Sequence, residues 1–213
     1  TVNVSIEQTE PTVSLNEGEN TIVLRAVDAL GNDAQASATT TVELDSDAPV
    51  VTVNSPTETS TSEVSIFGTV TDDSVVQSVE LTVGGETTTV PVASDGSYDA
   101  SFTLADGQYT VTATATDEFG NTGSASTSVL VDTTAPTVSL TAPATSDSTD
   151  VTVSGSVTDA SGISTVELLV NGNPVPVSLD AQGDFETMVT MNEGENTIEV
   201  TASDALQNTG SAS

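Results

Sequence analysis

The stretch APVVTVNSPTETSTSEVSIFGTVTDDSVVQSVELTVGG (48–85) lies without gaps over APTVSLTAPATSDSTDVTVSGSVTDASGISTVELLVNG (135–172). The match continues as ATDEFGNTGSAS (115–126) over ASDALQNTGSAS (202–213), and 29 of the 79 aligned positions are identical at an offset of 87. A partial third copy, LNEGENTIVLRAVDALGN (15–32), matches MNEGENTIEVTASDALQN (191–208) at an offset of 176. Self-similarity at a fixed period marks an array of like structural units, and the period sets the unit size near 87 residues.

Within one unit the pattern is alternation. The middle copy predicts seven short strands, called A to G here: about 50–54, 63–70, 76–83, 87–92, 98–104, 109–116 and 124–131. Val64, Ile66, Gly68 and Val70 share one face of strand B. Val79, Leu81 and Val83 share one face of C, and Tyr98, Ala100, Phe102 and Leu104 one face of E. Val111, Ala113 and Ala115 face inward on F. Gly84-Gly85, and Asn171-Gly172 in the next copy, supply the left-handed residues of a two-residue hairpin. Ser94-Asp95-Gly96 and Asp106-Gly107 mark further turns. Period-2 patterning over seven strands in fewer than 90 residues predicts an all-β chain of tandem immunoglobulin-like seven-strand β-sandwiches.

The boundaries fall at Ala-Pro pairs, in ELDSDAPV (43–50) and LVDTTAPTV (130–138). Proline fixes φ and biases the residue before it towards extended backbone, so these connections are short and stiff. Residues 1–46 then form the C-terminal half of one repeat, 47–134 a complete repeat, and 135–213 a repeat lacking its last strand. Thr1 opens in mid-pattern, so the sequence is expected to be a segment of a longer chain.

Composition narrows the function classes. Among 213 residues there are 32 acidic groups and one basic group, Arg25, giving a formal charge of −31, with no Cys, His or Trp. Such a chain is repelled by nucleic acid and by anionic membrane surfaces. It has no disulfide, no thiolate or imidazole metal site, and no Ser-His or Cys-His nucleophile pair. No apolar run approaches the ~20 residues of a membrane-spanning helix, and no direct membrane insertion is expected. Disorder is opposed by the 35% hydrophobic content, arranged in alternation, and by a charged fraction of only 15%. The remaining acid–base groups are carboxylates with Tyr98 and Tyr109, and no pair of acids is placed for glycosidic hydrolysis, so no enzyme is expected. Arg25 falls on the polar parity of its strand, where an exposed ion pair contributes little.

The carboxylates cluster near the linkers. In this topology the B–C and F–G loops lie beside the start of strand A. That end of the middle unit gathers Asp45 and Asp47, then Asp72 and Asp73, then Asp117, Glu118 and Asn121. The next unit gathers Asp132, Asp159, Asp204 and Asn208. The opposite pole of each preceding unit offers Asn16, Glu17 and Glu19, or Asp106. Ca²⁺ takes about 6–8 hard oxygen ligands, and several carboxylates from separate loops meet that demand. Alternatively, Asp and Asn are turn residues in their own right, and the charge is solvation. Both readings stand at this point; the acid-richer first linker is expected to bind the cation more tightly.

Taken together, the Glu-Asn-Thr-Ile strand starts (19–22, 195–198), the DALGN (28–32) and DEFGN (117–121) turns and the ending DTTAP (132–136) resemble the bacterial Ig-like repeats of giant secreted adhesins. They are also similar to domain-B-like modules found beside some secreted glycoside hydrolases. The resemblance implies an extracellular or cell-surface stalk of neighbouring repeats, some stiffened by Ca²⁺ at domain junctions. Two other functions are weighed beside it. One is a filament, in which copies pair strands at the open edge of the third repeat. The other is an accessory glycan-binding module, for which Phe119 is the one candidate ring. Leu30 and Leu206 take its place in the other copies, so Phe119 is expected to have a packing role, and Tyr98, Phe102, Phe185 and Tyr109 are expected in strands or core.

Overall fold

The computed structural model describes residues 13–24, 27–32 and 38–213. Arg25 lies outside the described residues. The first unit is represented by β1 (Gly18–Leu24) and β2 (Ala38–Leu44), an antiparallel pair running from Gly18↔Leu44 to Leu24↔Ala38.

The middle unit is a two-sheet sandwich. One sheet orders β3 (Val50–Asn54), β5 (Glu63–Thr71) and β8 (Ser97–Thr103). The other orders β4 (Glu58–Thr59), β10 (Thr122–Val131), β9 (Gly107–Thr116), β6 (Ser78–Val83) and β7 (Glu86–Pro91). Each of the seven expected strands is present. The eighth, β4, is an addition: after β3 the chain crosses between sheets, and Glu58 and Thr59 pair parallel with Leu130 and Val131. Strand alternation explains the core. Every second residue of β5 is buried, and Ile66, Val79, Leu81, Val111, Ala113, Ala115 and Val129 are fully enclosed between the sheets. β6 and β7 join through Gly84 (φ 59°) and Gly85 (φ 90°), left-handed as a two-residue hairpin requires.

The third unit repeats this plan. One sheet orders β11 (Thr137–Thr141), β12 (Asp150–Thr158) and β15 (Asp184–Thr190). The other orders β14 (Asn173–Val175), β13 (Thr165–Val170), β16 (Ile198–Ser203) and β17 (Thr209–Ala212). Val153, Leu168, Val200 and Ala202 are enclosed in its core. Of the last strand expected to be lacking here, the first four residues form β17, pairing with β16 from Ser203↔Thr209 to Val200↔Ala212, where the equivalent β10 runs for ten.

Two glycines sit where strands meet the Ala-Pro linkers. A Cβ on Gly123 would fall well inside van der Waals contact of the Pro49 carbonyl oxygen, and one on Gly210 would strike that of Pro136. Strand G therefore admits the linker only because a side chain is missing. Gly123→Ala and Gly210→Ala should each destabilise their unit by about 1–3 kcal/mol, as overpacking does. Chemical denaturation should show a lowered midpoint at unchanged slope.

Asp95 fixes the β7–β8 turn. Its Oδ1 accepts the Ser97 hydroxyl (2.7 Å) and the Ser97 N–H (3.1 Å), and these bonds hold its carboxyl below the ordinary 3.8. A depressed carboxyl contributes stability that is complete above its unfolded value and is lost as pH falls through the folded one. The stability difference between the wild type and Asp95→Asn should be constant above about pH 5 and shrink as pH drops below about 3.8. Melting curves across that range measure it.

Candidate metal centres at the two linkers

The turn after β9 is built by its own aspartate. Asp117 Oδ1 accepts N–H bonds from Phe119 (2.9 Å) and Asn121 (2.8 Å). The same turn recurs at Asp204 with Leu206 and Asn208 (2.8 and 2.9 Å), and at Asp28 with Leu30 and Asn32 (2.9 and 2.8 Å). Burial pushes the Asp117 carboxyl up. The Asn121 amide and the N–H groups of Asn121, Gly120 and Phe119 outweigh that and hold it below the ordinary value. The Nδ2 groups of Asn121, Asn208 and Asn32 donate to the second oxygens (2.7 Å each), so local turn chemistry engages both oxygens of each of these aspartates.

It does not account for what surrounds them. Among the described residues, Asp45, Asp72 and Asp117 bring one carboxylate oxygen each within 4.8 Å of one another, and Asp132, Asp159 and Asp204 do the same. The two groups are the same three positions, 87 residues apart. Asp45 and Asp132 come from the linkers, Asp72 and Asp159 from the loops after β5 and β12, and Asp117 and Asp204 from the turns after β9 and β16. Asp72 Oδ1 is oriented by the N–H and hydroxyl of Ser74, and Asp159 Oδ1 by those of Ser161. Asp132 and Asp117 are each 6% exposed, and Asp204 is wholly enclosed.

Among the described residues, three buried side-chain polar atoms have no partner: Ser55 Oγ, Asp45 Oδ2 and Asp132 Oδ2. Two of the three are thus the linker carboxylates of these groups. A buried anionic oxygen without a partner is strongly disfavoured, and like charges this close repel. The chain contains no Lys or His to compensate. An all-oxygen, carboxylate-rich donor set drawn from three segments suits a hard divalent cation with tolerant geometry, which is the coordination habit of Ca²⁺. The residues fit that ion.

The other residues named from sequence have different places. Asn121 donates its Nδ2 to Asp117 Oδ2 (2.7 Å) and to the Asp45 carbonyl (3.0 Å). Asn208 donates likewise to Asp204 Oδ2 (2.7 Å) and to the Asp132 carbonyl (2.8 Å). These amides tie the linker backbone to the turn. Asp47 and Asp73 are exposed and outside the group, and exposed Glu118 meets the Val75 N–H at 3.4 Å. The extra acids of the first linker therefore add no carboxylate to its three-carboxylate group. Asn16 pairs with Asn20, while Glu17 and Asp106 contact linker hydroxyls. Sequence reading missed those hydroxyls, Ser46 and Thr133, although each directly follows a cage aspartate.

A flat aromatic platform is not formed from the rings named for it. Tyr98 and Phe185 are buried, and Phe102 and Tyr109 are half-buried. Phe119 is 43% exposed; of its counterparts, Leu30 is 88% exposed and Leu206 is half-buried. The hydrogen bonds that close the turn come from Asp117, Asn121 and the backbone N–H groups of Phe119 and Gly120. Tyr109 instead has a structural bond, its hydroxyl donating to the Ala105 carbonyl (3.1 Å) at the entry to β9. Asn196 makes the equivalent bond to the Asn192 carbonyl (2.8 Å), and Asn20 to that of Asn16 (2.7 Å). Tyr109→Phe should cost about 0.5–1.5 kcal/mol, measured by denaturant melting.

Residues 43–133 match the family model of the bacterial Ig-like domain, and residues 136–207 match that of the bacterial Ig domain. No curated protein matches the chain. Among solved structures, a tetra-tandem repeat from the extending region of a large adhesion protein is 31% identical, with 93% of this chain and 56% of that one covered and a TM-score of 0.42. A Ca²⁺-stabilised adhesin with which an Antarctic bacterium binds ice is 28% identical, over 92% of this chain and 55% of that one, at a TM-score of 0.41. Fibronectin(III)-like modules of Clostridium thermocellum CbhA are 28% identical over 75% and 88% of the respective chains, at a TM-score of 0.40. The chain spans about half the length of the two adhesin structures.

Proposed function

This chain belongs to the bacterial Ig-like domain family, and from that premise we propose that it is a stalk segment of a long extracellular adhesin or surface protein whose linkers are locked by Ca²⁺. The observation that carries the Ca²⁺ part is the pair of buried, partnerless oxygens, Asp45 Oδ2 and Asp132 Oδ2, each on an aspartate grouped with two further carboxylates. Tandem units of one size, joined by short Ala-Pro linkers, support the spacer role. Asp45, Asp72 and Asp117 would hold one ion, and Asp132, Asp159 and Asp204 a second. The ion supplies positive charge where three anionic side chains converge. The chain's own part is to bring one carboxylate from the linker and two from the following unit to the same point. Asn121 and Asn208 fix the linker backbone there. Extracellular modules bind Ca²⁺ with Kd of roughly 10⁻⁴–10⁻³ M, so loading belongs to a compartment with millimolar Ca²⁺.

Calorimetric titration of chelator-treated protein tests this. Two Ca²⁺ should bind per chain, and one in the Asp132→Asn variant. Absence of binding in both calorimetry and equilibrium dialysis at about 10 mM, ten times the weaker Kd expected, would leave the aspartates as turns and solvation.

A further inference from the structure

We propose that Glu17 and Asp106 are positioning residues for the two cation sites: each ties its linker to the preceding unit whether or not the ion is bound. This rests on the Ca²⁺ reading above for its effect on affinity, but the clamp itself is visible without it. Ser46 follows Asp45, and its N–H donates to Glu17 Oε2 (3.1 Å) while its hydroxyl donates to Glu17 Oε1. Thr133 follows Asp132, and both its N–H (2.9 Å) and its hydroxyl (2.8 Å) donate to Asp106 Oδ1. The hydroxyl of Thr134 reaches Asp106 Oδ2. Glu17 and Asp106 occupy equivalent repeat positions, both aligning with Glu193. Neither belongs to a three-carboxylate group.

Each linker is therefore gripped from both sides at its first two residues. The aspartate side chain enters the cage, its carbonyl accepts an amide from the following unit, and the next residue's N–H and hydroxyl point back to the preceding unit. Only the cage depends on a cation. On chelation the linker should stay fixed to the unit it leaves and, of its two ties to the unit it enters, keep the asparagine amide and lose the cage. Because the clamp fixes the backbone one residue from Asp45 or Asp132, it also sets where that carboxylate points. Groups that orient metal ligands typically affect affinity by about 10–100-fold.

The test combines amide hydrogen exchange, read by NMR, with Ca²⁺ titration of the whole 213-residue chain. In the wild type, the Thr133 N–H should be as well protected in chelator as in Ca²⁺. Asp106→Ala should lose that protection in both conditions and weaken the second site about tenfold, leaving the first site unchanged. Asp106→Glu, which copies Glu17, should restore both, which separates positioning from general damage to the fold. Failure of the wild type to bind Ca²⁺ would sink the metal reading, while the exchange data would still judge the clamp. Normal Thr133 protection and normal second-site affinity in Asp106→Ala would overturn the clamp and leave the metal reading standing.

Discussion

Raising Ca²⁺ to about 10 mM in chelator-treated protein is expected to stabilise the middle and third units by about 1–3 kcal/mol each. For units of this size that corresponds to a melting-temperature gain of about 4–24 °C. The effect follows from mass action, because an ion that binds only the folded arrangement stabilises that arrangement. The unfolded chain offers no such site, since Asp132, Asp159 and Asp204 lie on separate segments brought together by β12 and β16. Asp159→Asn should abolish the gain in the third unit and spare that in the middle unit. Asp72→Asn should do the reverse. Asparagine keeps the oxygen that accepts from Ser161 or Ser74, so the loop survives while the charge is removed. Mg²⁺ at the same concentration should stabilise less, because it demands near-octahedral geometry and dehydrates reluctantly. Equal melting curves with and without Ca²⁺ would contradict the assignment.

Truncating the cores should have the largest effect of any single substitution. Leu81 and Leu168 occupy the same repeat position, on β6 and β13, and both are wholly enclosed. Leu81→Ala or Leu168→Ala should cost about 2–5 kcal/mol, from lost transfer free energy plus the cavity left behind. Domains of this size have only about 5–15 kcal/mol of net stability, so either change removes a large share of it. The damage should be confined to one unit, because the two cores are separate clusters. Two denaturation transitions, of which one moves and the other stays, would show this. A shift below about 1 kcal/mol would mean that the core tolerates the void, against the usual cost.

The strands were readable because β-structure imposes a period of two and the sandwich buries one parity. Val64, Ile66 and Val70, and likewise Val79, Leu81 and Val83, are buried as their alternation implies. β4 was not readable. Two residues paired parallel to β10 have no room to display a pattern. The clustered aspartates recur at the same offset as the strands, so the repeat carries Asp45, Asp72 and Asp117 and their counterparts together. Composition pointed equally to Asp47, Asp73 and Glu118, which local geometry leaves out. Adjacent residues differ in burial, so of Asp72 and Asp73 only the first is tucked in. The roles of Asn121 and Asn208 were hidden because an amide can ligate through oxygen or donate through nitrogen, and only the structure shows the donation. The bond that Tyr109, Asn196 and Asn20 share was hidden because different side chains make it.

Small-angle scattering of the chain in chelator and in about 10 mM Ca²⁺ tests the central claim most directly, because the expected Kd values place that concentration at or above saturation. If the ion locks the linkers, Ca²⁺ should increase the maximum dimension and sharpen the distance distribution, and Asp72→Asn together with Asp159→Asn should erase the change. Superimposable profiles in the two conditions, from protein shown to bind the ion, would contradict the claim.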